Sequence, residues 1–336
     1  MTFNVLSIDG GGLRGIIPGL ILTELEKKLQ HYSHRPDARL CDFFDLIAGT
    51  STGAILGASY LTPDHNGRPK FTAADAVSLY QTRGGAIFNR STWRKITTLG
   101  GLLEEKYSAH ALEKILLRQF GEIDLASLLK PCCFVSYDIV QRKPKVFKQH
   151  TASIEGNNFR LIDVLRSTAA APTYFEAAQV TSIDRPDVIR TFIDGGIVAN
   201  DPALCAYSEA LKFPEVRGIA DMMIVSLGTG QQLQSYTYQD VKGYGPLRWA
   251  QPVINIALDG GPQMAEYHLK GIDSTTNTQH VYRLQPELFD ASPEMDNATP
   301  DNLDRLTRAG ELNCEAFATE IDRIAKRLIA HKHELN

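Results

Sequence analysis

Apolar and polar positions along this chain follow two alternating rhythms. Residues 3–8 form a short, mostly apolar run that reads as a buried strand. A glycine-rich turn covers residues 9–15. Beyond it Ile17, Ile21, Leu25 and Leu29 recur at helical spacing, with Glu24, Glu26, Lys27 and Lys28 on other faces. Pro18 falls in the first turn of that helix, where a missing N–H costs nothing. The same strand–turn–helix order is predicted for residues 43–48, 49–53 and 54–61. Further strands are expected at 132–140, 190–193 and 222–227, with helices at 109–120, 161–170 and 202–211. Strands alternating with helices predict an α/β fold with a mainly parallel sheet covered on both faces. Thr299 and Pro300 open a last helical stretch whose ladder runs Leu303, Leu306, Phe317, Ile321, Ile324 and Leu328. Residues 299–332 are therefore expected to be C-terminal packing helices. Residues 62–70 and 285–299, rich in Pro, Asp and Asn, read as surface loops. Neither resembles a linker, so residues 1–336 are expected to form a single domain.

Composition narrows the function classes. Of 336 residues 43% are apolar and 22% charged, enough for a sizeable core. Lys and Arg number 35 against 39 Asp and Glu, a net charge of −4, which argues against a nucleic-acid polymer as partner. The N-terminus lacks the basic start of a signal peptide, and no apolar run reaches membrane-spanning length. The five cysteines contain no C-x-x-C pair, so neither a disulfide framework nor a zinc site is expected and the cytoplasm is the expected location. No metal or cofactor motif is present.

Three motifs carry chemistry. Gly49-Thr50-Ser51-Thr52-Gly53 matches G-x-S-x-G between a predicted strand and a predicted helix. That context makes a nucleophile elbow, with small residues at Gly49 and Gly53 and Ser51 at a helix N-terminus. Asp9-Gly10-Gly11-Gly12-Leu13-Arg14-Gly15 follows another strand, and its backbone N–H groups can converge on a phosphate or an oxyanion. Gly10, Gly12 and Gly15 also satisfy a dinucleotide fingerprint, but no second strand ending in an acid follows at the required distance. Asp194-Gly195-Gly196 ends a short apolar run. A serine hydroxyl needs a base, and Asp194 is placed to serve. Histidine remains a rival base through His150, His268 and His280. At this level the chain is a serine hydrolase, or a nucleotide-binding or interaction protein that uses the glycine loop without catalysis.

These motifs, in this order, resemble the patatin-like phospholipase family. Residues 170–175, 199–203 and 226–230 are similar to further landmarks of that family, with Asp201 where many members carry a second asparagine. The resemblance spans about residues 3–270. It implies a three-layer α/β/α fold and a lipid acyl hydrolase cleaving membrane phospholipids through a Ser51–Asp194 dyad and an acyl-enzyme. It also implies an oxyanion hole at Gly10, Gly11 and Gly12. Arg14 is expected to order that loop or to contact the head group. A lipid acyltransferase is the alternative enzyme. The build resembles bacterial effector phospholipases that cyclic oligonucleotides switch on in antiphage defence. The expected partners are then a phospholipid membrane surface, met peripherally, a cyclic oligonucleotide activator and a second copy of the chain. Residues 87–106, where Phe88 and Trp93 interleave with Arg90 and Arg94, suit a membrane interface, and 235–270 reads as a loop gating the site.

Overall fold

The computed structural model describes residues 2–87, 107–230 and 235–333. Its strands are β1 (Phe3–Ile8), β2 (Leu46–Thr50), β3 (Cys132–Asp138), β4 (Lys143–Phe147), β5 (Ala178–Val180), β6 (Arg190–Asp194), β7 (Met222–Leu227) and β8 (Val281–Leu284). Its helices are α1 (Ile16–Ser33), α2 (Leu40–Phe43), α3 (Thr52–Leu61), α4 (Ala73–Ile87), α5 (Ala109–Phe120), α6 (Leu161–Thr168), α7 (Gly196–Ala199), α8 (Ala203–Ala210), α9 (Tyr238–Val241), α10 (Pro246–Asp273), α11 (Pro300–Ala316) and α12 (Ala318–His333).

The strands form one sheet in which β3, β2, β1, β7 and β8 run parallel. At one end β4 and β6 lie antiparallel on β3, and β5 lies antiparallel on β6. The antiparallel end starts at a tight turn. The Asp138 carboxylate accepts the N–H groups of Val140 and Gln141 at 3.0 and 2.8 Å. The strand expected over 132–140 therefore stops at Asp138, and so short a connection can only return antiparallel.

Side-chain alternation along the strands builds two apolar layers. Leu6, Ile8, Ile47, Phe134 and Val225 pack on one face with residues of α1, α3 and α4. Val5, Leu46, Ala48, Cys133 and Ile224 pack on the other, against Ala203, Ala206 and Ala210 of α8 and Leu269 of α10. The expected three-layer α/β/α architecture is present. α11 and α12 lie on α1, and Thr299 Oγ1 accepts the Asn302 N–H at 3.4 Å, capping α11 as its sequence predicts.

Two further expectations are corrected. The strand predicted at 43–48 begins at Leu46, because Asp42 accepts the Arg39 N–H at 3.0 Å and winds Leu40–Phe43 into a helical turn. The gating loop expected at 235–270 is mostly the long helix α10, which continues through Pro252 and Pro262. The expected membrane segment 87–106 lies outside the described residues except for Ile87, the last residue of α4. No helix among the described residues is long and apolar enough to cross a membrane.

Candidate functional site

Strand register brings Ser51 and Asp194 together. β2 runs along β3 until Thr50 lies opposite Val135. β6 approaches along β3 from the other direction and ends with Asp194 opposite Ser136, the next residue. β4 occupies the other side of β3. The C-terminal ends of β2 and β6 thus meet head-on beside two consecutive residues of β3.

Ser51 sits at the N-terminus of α3 with φ 54° and ψ −121°, a backbone conformation few side chains tolerate. Tight surroundings maintain it. Its N–H donates to Thr168 Oγ1 at 2.9 Å, and the Thr168 hydroxyl is anchored on the Val135 carbonyl. A Cβ on Gly53 would lie 2.1 Å from the Ile8 carbonyl oxygen, so only glycine lets α3 approach β1 this closely. Behind the serine, Thr52 Oγ1 and the Tyr80 hydroxyl bond at 2.6 Å, tying α3 to α4.

Asp194 is buried, and burial pushes its carboxyl up to about 6. The Gly196 N–H, donating at 2.7 Å, and the neighbouring Ser51 hydroxyl pull the other way. A carboxyl near 6 is a stronger base than a free aspartate. No described histidine lines the cleft. His150 is engaged with Glu209 at 3.0 Å, His280 Nδ1 lies 2.9 Å from the Met222 carbonyl oxygen, and His268 is on the exposed side of α10.

The glycine loop faces the serine across the same cleft. Gly11 and Gly12 line it with Ser51 and Asp194, and neither N–H has an acceptor among the described residues. Gly10 differs, since its N–H is already donated to the Asn200 carbonyl at 3.1 Å. Gly12 has φ +57°, and a Cβ there would lie 2.4 Å from the Met295 carbonyl oxygen. Asn200 Nδ2 and Thr229 Oγ1 both donate to the Gly10 carbonyl, at 3.3 and 2.8 Å. Arg14 is buried, with Nε donating to the Gly11 carbonyl at 3.4 Å and Nη1 to the Gly230 carbonyl at 3.2 Å. A dinucleotide site would need an acid closing the next strand, and β2 ends in Thr50 instead.

Beneath the loop lies a charged cluster that sequence reasoning missed. Arg283 of β8 donates to Asp9 at 2.8 and 2.6 Å and to Asp201 at 3.2 Å, with all three side chains nearly buried. Ser7 and Ser226 hydroxyls also donate to Asp201. Burial and the neighbouring Asp201 raise the Asp9 carboxyl against the pull of Arg283. Sequence offered one signal, an arginine inside an otherwise apolar Val-Tyr-Arg-Leu run. Thr168 offered none.

The cleft is narrow, a cavity of about 70 Å³. Its remaining walls are mainly apolar, including Ile55, Leu112, Phe175, Ile254, Leu258 and Met295. A reacting carbonyl placed at Ser51 would leave an acyl chain against these side chains.

The chain is similar to known proteins. The patatin-like phospholipase family profile matches residues 6–207, more than half of the chain. Patatin-12 of Solanum tuberosum is 35% identical, the alignment covering 98% of this chain and 90% of that protein. Patatin-2-Kuras 4 of the same species is 35% identical, covering 98% and 93%. Among solved structures, VipD from Legionella pneumophila aligns over 93% of this chain and 67% of its own, at 11% identity and a TM-score of 0.37.

Proposed function

The chain belongs to the patatin-like phospholipase family and is a lipid acyl hydrolase, and we propose that it works through a Ser51–Asp194 dyad and an acyl-enzyme. The observation that carries this is that Ser51 and the buried carboxylate of Asp194 line one mainly apolar cleft, where the C-terminal ends of β2 and β6 meet. Ser51 Oγ attacks the ester carbonyl while Asp194 takes its proton. The tetrahedral oxyanion is met by the N–H groups of Gly11 and Gly12 and by the N-terminus of α3. Asp194 returns the proton to the leaving alcohol, which departs as the lysolipid. Water then attacks the acyl-enzyme, with Asp194 again accepting a proton, and the fatty acid is released. Gly10 orients the loop rather than donating, because its N–H is occupied by Asn200. Arg14, buried and bound to two carbonyls, orders the loop.

Mass spectrometry of phospholipid vesicles incubated with the enzyme tests this. Equal amounts of free fatty acid and lysophospholipid are expected, absent with Ser51→Ala. Transfer of the acyl group to another lipid in place of fatty-acid release would make the protein an acyltransferase. A finer reading is an effector switched on by a cyclic oligonucleotide, after the resemblance of the build to effector phospholipases. It requires vesicle hydrolysis to rise with one member of a panel of cyclic di- and trinucleotides. High basal activity unchanged by the whole panel would refute it.

A further inference from the structure

Helix α10 is apolar on two faces. Inward, Pro252, Leu258, Pro262, Ala265 and Leu269 are buried, and Ile254 and Leu258 wall the cleft. Outward, Trp249, Val253, Ile256, Gly260, Met264 and Tyr267 follow one another at steps of three and four residues, which places them in a single stripe. Val253 is 55% exposed, Ile256 50%, Met264 55% and Tyr267 71%. No charged residue interrupts the stripe. Val198 on α7, which packs against α10, adds a further exposed apolar side chain. Single exposed apolar residues are ordinary, but a helix facing water normally presents charge along its outer face. A stripe of this length marks an interaction surface.

We propose that the outer face of α10 docks the enzyme on a phospholipid bilayer and sets the cleft mouth against it. This rests on the lipid hydrolase reading above. Continuity argues for the bilayer as occupant. Val253 and Ile254 are adjacent, one facing out and the other into the cleft, and Ile256 and Leu258, two positions apart, divide in the same way. An apolar phase seated on the stripe therefore borders the chamber that receives the acyl chain. Trp249 and Tyr267 have the apolar body and polar tip that suit a membrane interface. Flanking charges are mixed. Lys242 and Arg248 are exposed, Asp240 lies close in sequence, and Lys270 is paired with Glu266 at 2.6 Å. Docking is accordingly by apolar insertion, so zwitterionic lipid suffices and added salt has little effect.

The test uses full-length protein and phosphatidylcholine vesicles. Binding is read by sedimentation in the Ser51→Ala background, which leaves the vesicles intact, at low and high salt. The triple variant Val253→Ser/Ile256→Ser/Met264→Ser should partition about tenfold less or weaker still. With Ser51 present, it should lose vesicle hydrolysis in proportion while cleaving a soluble short-chain ester at the unaltered rate. Should the triple variant melt early, Met264→Lys reads the same contrast from one exposed position. Undiminished vesicle binding would overturn the proposal, as would equal losses on vesicle and soluble ester. A wild-type dimer that the triple variant splits would assign the face to a second copy instead. Failure of the wild type to cleave the soluble ester would refute the lipase reading, with sedimentation still deciding the docking.

Discussion

Replacing Asp194 by asparagine should abolish turnover and at the same time stabilise the fold above pH 6. The carboxyl is pushed from 3.8 to about 6 by burial. At ~1.4 kcal/mol per pH unit, the ionised form costs the folded state about 3 kcal/mol. The sign follows from linkage. A carboxyl with a raised folded-state value binds its proton more tightly in the folded protein than in the unfolded chain. Its favourable contribution is complete below pH 3.8 and is lost as pH rises toward 6. Asparagine carries no such charge. Its Oδ1 can still accept the Gly196 N–H, now at 2.7 Å from Asp194, while its Nδ2 can donate to Ser51. The variant should therefore gain up to about 3 kcal/mol at pH 8, on the order of 4 °C in melting temperature for a chain this size. The gain should shrink toward zero near pH 4. Urea denaturation of both proteins at pH 4.5, 6 and 8 reads it directly. A variant destabilised at pH 8, or a gain that does not change with pH, would refute the burial argument. Retained hydrolysis would refute the assignment of Asp194 as base.

Further outcomes follow from the same geometry. In the wild type kcat/KM should fall tenfold per pH unit below about 6, as Asp194 takes up its proton; a flat profile from pH 4 to 8 would contradict that role. Ser51→Gly should inactivate the enzyme yet stabilise it by about 1 kcal/mol, because glycine holds φ 54° without strain, and unchanged or lower stability would show the elbow to be relaxed. Arg283→Met should cost about 3–5 kcal/mol by leaving Asp9 and Asp201 buried without their cation. Pairing it with Asp9→Asn and Asp201→Asn should recover much of that loss in chemical denaturation, and no recovery would mean the cluster is not electrostatically coupled.

The parts of the fold legible from sequence are those that glycine and periodicity punctuate. β1, β7 and α5 keep the bounds their patterns predict, and the elbow stands between a strand and a helix as its glycines require. α10 was hidden because Pro252, Gly260, Gly261 and Pro262 are loop signals in local terms. There both prolines are buried, and the packing of α10 on α7, α8 and β8 outweighs the helix bonds they forfeit. β5 and β8 are too short, at three and four residues, to show a period. Ser51 and Asp194 were readable as chemical types, but their meeting depends on where β2 and β6 end along β3. The commitment of the Gly10 N–H to Asn200 depends on a contact 190 residues distant, which no local pattern encodes.

One measurement reads both the nucleophile, Ser51, and the oxyanion's donors, Gly11 and Gly12. A fluorophosphonate phosphonylates an activated serine and leaves a tetrahedral mimic of the intermediate in place. Peptide mapping should find a single adduct on Ser51, missing in Ser51→Ala, and a structure of the adduct should place its phosphoryl oxygen at the N–H groups of Gly11 and Gly12. An adduct on any other residue, or a phosphoryl oxygen turned away from the glycine loop, would contradict the account.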